Sequence, residues 1–197
     1  RHLEARLSSL SGAEVLPQAS RALSRIRTAC RSGERVLVHG DYDVDGITST
    51  VIMLLALRAL GAEAVYHIPH RIHEGYGLGD GGVESAMDAG AGLVVTVDCG
   101  TNDVESASKL ASAGIDLVVT DHHRPEEETA EAVAVVNPAL EDCAVERPWS
   151  GLAGAGVAYL LASALLEGGE HERLLGRLLG LAALGTVCDM VPLRGDS

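Results

Sequence analysis

The sequence predicts an α/β fold: a mainly parallel five-stranded sheet with helices on both faces and a binding site at the carboxyl edge of the strands. Three observations lead there. Short Val-, Leu- and Ile-rich runs recur at residues 36–38, 64–68, 93–97, 117–120 and 133–136, the length and polarity of buried strands. Helical patterns separate most of them, so the strands are joined by crossovers rather than hairpins. Right-handed crossovers bring the carboxyl ends of such strands to one edge, and three of these runs end in Asp or His.

Each element has a local reason. Residues 1–18 are weakly patterned and read as an incoming arm. In 19–30, Ala22, Leu23, Ile26 and Ala29 fall at helical spacing with arginines between them, and Gly33 closes an amphipathic helix. This arm and helix (1–34) precede the unit expected over 35–193. The first strand, 36–38, runs into His39-Gly40-Asp41-Tyr42-Asp43-Val44-Asp45-Gly46. Residues 47–60 are apolar nearly all round, the mark of a buried helix, and Gly61 takes the usual terminal position. After the strand at 64–68, residues 69–78 form a polar, glycine-rich loop, and a short helix is expected near 83–88. The strand at 93–97 ends in Asp98-Cys99-Gly100. A helix over 103–113 is closed by Gly114, and the strand at 117–120 ends in Asp121-His122-His123. Residues 125–131 are an acidic loop. Asn137-Pro138 stops the fifth strand, and 139–150 are irregular. Gly154-Ala155-Gly156 opens a helix to about Leu166, a last helix spans 171–184, and Asp189 lies in the segment after it.

Composition narrows the class. A chain of 197 residues, 47% hydrophobic with one Trp and no Phe, suits one domain with an aliphatic core. The formal charge of −13 argues against a protein that coats nucleic acid generically, but not against a nuclease whose acidic residues bind cations. Cys30, Cys99, Cys143 and Cys188 form no CxxC pair, which argues against a zinc ribbon or disulfide framework and for a reduced, cytoplasmic setting. No signal peptide is visible, and the longest apolar stretch, 151–166, is too short for a membrane span. The start at Arg1 and the end soon after Asp189 are expected to be those of a fragment.

The chemistry concentrates at the strand ends. Three carboxylates and an imidazole within seven residues repel one another in a structural turn, whereas a divalent cation removes the repulsion. His39, Asp41, Asp43, Asp45, Asp98, Asp121, His122, His123 and Asp189 exceed what one ion needs. Carboxylate and imidazole without thiolate suit manganese or magnesium, with zinc and cobalt as alternatives. Two such ions about 3.5–4 Å apart clamp a phosphoryl displacement, so hydrolysis of a phosphoester or phosphoanhydride is expected. Elsewhere the residues leave two readings. Arg71, with His70, His73 and Tyr76, suits contact with a substrate backbone or base, or an ordinary surface loop. Gly154 and Gly156 suit either phosphate-binding amides or close helix packing, and Arg124 either a phosphate contact or plain exposure. His2, His67 and His171 stand alone and read as structural or solvated.

The pattern His39-x-x-x-Asp43-x-Asp45, then Asp98, Asp121-His122-His123 and Asp189, resembles the four motifs of the DHH phosphoesterase superfamily. Seven segments in order (GDYDVDGITST, IPHRIHEGYGL, VVTVDCG, VVTDHHRP, VVNPAL, AGAGVAY and LGTVCDMVPL) are most similar to its RecJ-type branch of single-strand-specific exonucleases. The resemblance implies two sites: Asp45, Asp98, His122 and Asp189 holding one ion, and His39, Asp43 and Asp98 the other. It implies that His123 meets the scissile phosphate as polariser or acid, and that Asp41 and Asp121 orient the ligands. It raises the loop of Arg71 and Tyr76 as a substrate contact, beside which Arg124, Gly154 and Gly156 stand as candidates from their positions alone. It further implies 5′-to-3′ digestion of single-stranded DNA from its 5′ end in repair and recombination, two cations with manganese foremost and magnesium as the alternative, and no membrane. Helicase or single-strand-binding protein partners, and carboxyl-terminal substrate-binding domains of a longer parent absent from this chain, belong to the same expectation. Two alternatives stand beside it: a phosphodiesterase acting on short oligonucleotides or cyclic dinucleotides, and a non-catalytic DHH scaffold.

Overall fold

A computed structural model describes residues 10–140 and 147–196. His2, Cys143 and the first nine residues of the expected arm lie outside the described residues. Five strands, β1 (Val36–Gly40), β2 (Ala64–His67), β3 (Leu93–Val97), β4 (Asp116–Thr120) and β5 (Ala134–Val136), form one parallel sheet in the order β2-β1-β3-β4-β5. The connection reverses direction between β1 and β3, where His39 pairs with Thr96 and Gly40 with Val97. In a sheet of this order, that reversal opens a crevice just beyond the carboxyl ends of the two strands.

Strand alternation divides the core. Val36, Val38, Val95, Val97 and Val118 face the layer built by α1 (Ala19–Ser32), α2 (Val44–Ala59), α5 (Gly154–Leu165) and α6 (Glu172–Cys188). Leu37, Val94, Leu117, Val119 and Val135 face the layer with α3 (Gly79–Ala89) and α4 (Val104–Ser112). Both faces of the sheet are covered, as the uninterrupted apolar runs require. The α2 helix is apolar all round because it lies between sheet and helices, packed against both α5 and α6.

Four boundaries differ from the sequence reading. The α2 helix starts at Val44 rather than near Ile47, because Asp43 caps it: Asp43 Oδ1 accepts the Gly46 amide at 2.9 Å. Asp45 therefore sits in a helical first turn. The α3 helix starts four residues earlier than expected, at Gly79. The α6 helix runs to Cys188, and Asp189 is its C-terminal cap rather than part of a following loop. Residues 13–32 are no separate arm: Leu16, Ala22, Ile26 and Ala29 are buried in the same core as β1 and α5. Cys30, Cys99 and Cys188 are free thiols, and among the described residues no helix is long and apolar enough to cross a membrane.

Candidate metal centre

The carboxyl ends of β1, β3 and β4, the first turns of α2 and α5 and the C-terminal cap of α6 converge on one pocket. Its ligand atoms fall into three groups, each within 4.8 Å: Asp98 with His122 and His123; Asp45 with His122 and Asp189; and Asp41 with Asp43 and Asp98. Asp98 and His122 each belong to two groups. His122 Nε2 lies 3.0 Å from Asp98 Oδ1, 3.6 Å from Asp45 Oδ2 and 3.8 Å from Asp189 Oδ2.

Glycines make that convergence possible. A Cβ on Gly154 would come within 2.6 Å of Asp98 Oδ1, so only glycine lets α5 begin against β3. A Cβ on Gly185 would meet Thr48 Oγ1 at 2.5 Å and both Ala155 Cβ and Asp45 Oδ1 at 2.6 Å. Gly185 thus lets α6 cross α2 and α5 and deliver Asp189 one turn later. A Cβ on Gly46 would meet the Asp41 backbone at 2.5 Å, which folds the aspartate-rich turn onto itself.

The amides of Gly154 and Ala155 donate to Asp45 Oδ2 and Oδ1 at 2.7 and 2.9 Å. The positive end of α5 is thereby committed to a ligand carboxylate. Of the two glycines expected to present amides to a phosphate, Gly154 gives its amide to Asp45 instead, and a Cβ on Gly156 would come within 2.8 Å of Leu152 Cδ2.

The third group, with Asp43 and Asp98, holds Asp41 where the resemblance implied His39. Consecutive strand residues alternate faces, so His39 follows Leu37 to the α3 side of the sheet. There it is fully buried, donates from Nε2 to the Gly77 carbonyl at 3.1 Å and stacks on His67 with ring centroids 5.2 Å apart. It joins none of the three groups. Asp41, expected to orient ligands from behind, is buried in the pocket with Oδ1 lacking any hydrogen-bond partner.

Behind the pocket, a polar network sets the Asp121-His122-His123 turn. Asp121 Oδ1 accepts from the His122 amide (2.7 Å), the His123 amide (3.1 Å) and His123 Nδ1 (2.8 Å), while Oδ2 accepts the Thr101 amide (3.0 Å). Asn137 Nδ2 donates to Thr101 Oγ1 and the His123 carbonyl at 2.8 and 2.9 Å. Asp121 thus holds both histidines of the turn through its carboxylate. Asn137, read only as a strand stop, is a buried clamp on the same turn.

The electrostatics are those of a site short of positive charge. Burial and then the neighbouring Asp45 push the Asp98 carboxyl up to about 10, and burial also raises Asp41 and Asp189. Burial would raise Asp121 as well, but its bonds to His123 and Thr101 prevail and hold it at about 2. That pairing with Asp121 raises His123. Burial, then His67, lowers His39 to about 4. Asp98 Oδ1, His122 Nε2 and Asp41 Oδ1 are buried without hydrogen-bond partners, although Asp98 and His122 are within reach of each other. Asp98 also holds a left-handed backbone at φ 62°, a strain non-glycine residues accept mainly at functional sites. Orphaned oxygen and imidazole lone pairs, gathered without a thiolate, fit a hard divalent cation.

The loop residues expected to touch substrate sit at the mouth of this pocket. The Arg71 guanidinium lies over the Tyr42 ring, 4.5 Å from its centroid. The Tyr76 hydroxyl is 2.9 Å from His123 Nδ1 and donates to the Asp98 carbonyl at 3.4 Å. Burial, then Asp121, raises the Tyr76 hydroxyl above its ordinary value. The His70 and His73 rings pack on each other, and the Arg124 side chain is exposed while its carbonyl accepts from Asn102. His67 is no solitary histidine: it bonds Glu74 and Ser85.

The sequence profile of the DHH family, N-terminal domain, matches residues 35–186. The chain belongs to the DHH family. It is 42% identical over 176 residues to the single-stranded-DNA-specific exonuclease RecJ of Bacillus subtilis, covering 89% of this chain and 22% of that protein. It is 40% identical over 208 residues to RecJ of Salmonella typhimurium, covering all of this chain and 36% of the relative. The chain therefore spans about a fifth to a third of the length of these curated relatives. A crystal structure of exonuclease RecJ bound to manganese superposes with a TM-score of 0.79 at 39% identity, covering 92% of this chain and 45% of the other.

Proposed function

We propose that this DHH chain carries the catalytic centre of a metal-dependent, single-strand-specific DNA exonuclease that digests from the 5′ end. The observation that carries the reading is the set of orphaned, converging lone pairs on Asp41, Asp98 and His122, within ligand groups that share Asp98. In this reading Asp45, Asp98, His122 and Asp189 hold one cation and Asp41, Asp43 and Asp98 the other, with manganese the first candidate and magnesium the second. Such cations supply Lewis acidity, for activating water and for charge growing on phosphorus. The chain's own residues do the rest. The α5 amides fix Asp45, and Asp121 with Asn137 fixes the histidine turn. His123, held by Asp121 through Nδ1, presents its other ring nitrogen to hold or donate a proton at the scissile phosphate. Arg71 at the pocket mouth supplies positive charge for the DNA backbone. Residues 35–193 form the catalytic unit of a longer protein, whose remaining domains supply most of the grip on DNA, consistent with the net charge of −13 here.

The experiment is manganese-dependent release of nucleotides from 5′-labelled single-stranded DNA, with Asp98→Ala as control and the longer parent protein alongside. The expected result is release by the parent, abolished by Asp98→Ala, and weaker release by this chain. A parent that binds manganese yet releases nothing would overturn the exonuclease reading.

A further inference from the structure

The loop between β2 and α3 has few means of holding its shape. Residues 68–78 contain no strand and no helix, Gly75 and Gly77 take left-handed conformations, and its internal backbone bonds run only from His73 and Glu74 to the His70 carbonyl. Yet it carries Arg71 over Tyr42 and Tyr76 onto His123. Side chains do the holding, and they meet at Glu74. Glu74 Oε2 accepts the His70 amide at 2.6 Å, and Oε1 accepts from His67 Nε2 at 3.1 Å. His67 is braced in turn by Ser85 Oγ, 2.6 Å from Nδ1, and by the His39 ring beneath it. His39 reaches back to the loop through the Gly77 carbonyl.

The glycine pair that opens α3 is cut to this arrangement. A Cβ on Gly81 would collide with Glu74 Oε1, and a Cβ on Gly82 would come within 2.8 Å of His39 Nδ1. The Glu74 carboxylate thus lies against the first turn of α3, where the helix dipole favours negative charge.

We propose that Glu74 is a positioning residue for substrate: by tying His67 to the His70 amide it sets the loop that presents Arg71 to the DNA backbone. This rests on the exonuclease reading above. It also gives His39 a role other than ligation, as the floor of the same latch.

The test uses Glu74→Ala and Glu74→Gln, in wild-type and Arg71→Ala backgrounds, assayed on single-stranded DNA with manganese. Losing one positioned charge–phosphate contact corresponds to a rise of roughly tenfold in KM. Glu74→Ala should show that rise with kcat within about twofold, and with manganese affinity by calorimetry unchanged. Glu74→Gln keeps an acceptor for His70 and should recover most of the loss. In the Arg71→Ala background, Glu74→Ala should add nothing, because the two act as one unit. An unchanged KM, a fall in manganese affinity, or an additive effect with Arg71→Ala would overturn the proposal. Hydrogen exchange at residues 68–78 separates this failure from failure of the functional reading. If the wild-type protein leaves DNA intact, faster exchange in Glu74→Ala still supports the latch, and unchanged exchange removes it.

Discussion

The two edges of the sheet use the same acidic residue types in opposite ways. At the amino edge, Arg25 makes paired contacts of 2.7 Å with Glu34 and a further one of 2.6 Å with Asp116, and Arg35 pairs with Glu63. At the carboxyl edge, Asp45, Asp98 and Asp189 crowd around the single His122 imidazole at 3.6, 3.0 and 3.8 Å, and Asp41 Oδ1 is buried without a hydrogen-bond partner. The amino edge carries its own cations, while the carboxyl edge leaves the cation to be supplied from solution. Charges that satisfy one another hold a fold together. Charges left unsatisfied by the fold are available for binding, at a cost to the protein without its ligand.

Removing the central unsatisfied charge tests the contrast most severely. Asp98→Asn should cut manganese-dependent nucleotide release by about a thousandfold, equivalent to about 4 kcal/mol of lost charge stabilisation. The same change should raise the melting temperature of the metal-free protein, because asparagine is spared the cost of burying and protonating a carboxylate whose charged form is disfavoured by burial and then by Asp45. Equal melting temperatures with and without the Asp98 charge would erase the distinction between the edges.

The distinction also predicts a pH dependence. Asp98 titrates near 10 in the folded metal-free protein and near 4 when unfolded. Between those values the folded state holds a proton that the unfolded chain has released. Metal-free stability should therefore fall as pH rises through that window. Manganese at a hundred times its Kd should add about 2.7 kcal/mol, or roughly 2–4 °C of melting temperature per kcal/mol. The gain should be larger at the alkaline end, where protons no longer compete. Thermal melts across pH, in chelator and in manganese, measure both slopes.

Gly185→Ala sharpens the comparison at one remove from the ligands. Its Cβ would press on Thr48, Ala155 and Asp45, so stability should fall by about 1–3 kcal/mol. Manganese affinity should fall by roughly 10–100-fold as Asp45 and Asp189 are pushed apart. Titration calorimetry with a parallel denaturant melt reads both. The smallest effect belongs to the amino edge. Arg25→Ala should cost about 1 kcal/mol, because Asp116 is half exposed and only Glu34 is left partly buried. It should leave manganese affinity unchanged.

The sheet and the location of the site were legible because both depend on local pattern. Buried parallel strands must be apolar throughout, and their ends must turn polar, so Val36–Val38, Leu93–Val97 and the residues after them announced themselves. The turn of His39 away from the clustered carboxylates was less visible. Spacing along the chain puts His39 near Asp43, but the pleat sends its ring to the opposite face, a signal present in the alternation of Leu37 and His39. Glycines were the hardest to read. Gly154, Gly156 and Gly185 look alike as letters, whether they free an amide, end a helix or admit a neighbour. What distinguishes them is what a Cβ would strike: neighbouring Leu152 for Gly156, Asp98 for Gly154, and the distant Thr48 and Asp45 for Gly185. Asn137 was masked by its Pro neighbour, since a strand stop sufficed to explain both.

The pairing of Asp45 with the amides of Gly154 and Ala155 spans 109 and 110 residues of sequence. Its consequence concerns synthesis. A chain emerging from the ribosome makes Asp41, Asp43 and Asp45 early, but it lacks the amides that fix Asp45 until α5 has been translated. It lacks Asp189 until α6 has been translated as well. Contacts this distant in sequence form late, because their loop must close first. A nascent chain consequently carries no assembled ligand cluster until both α5 and α6 have emerged and packed.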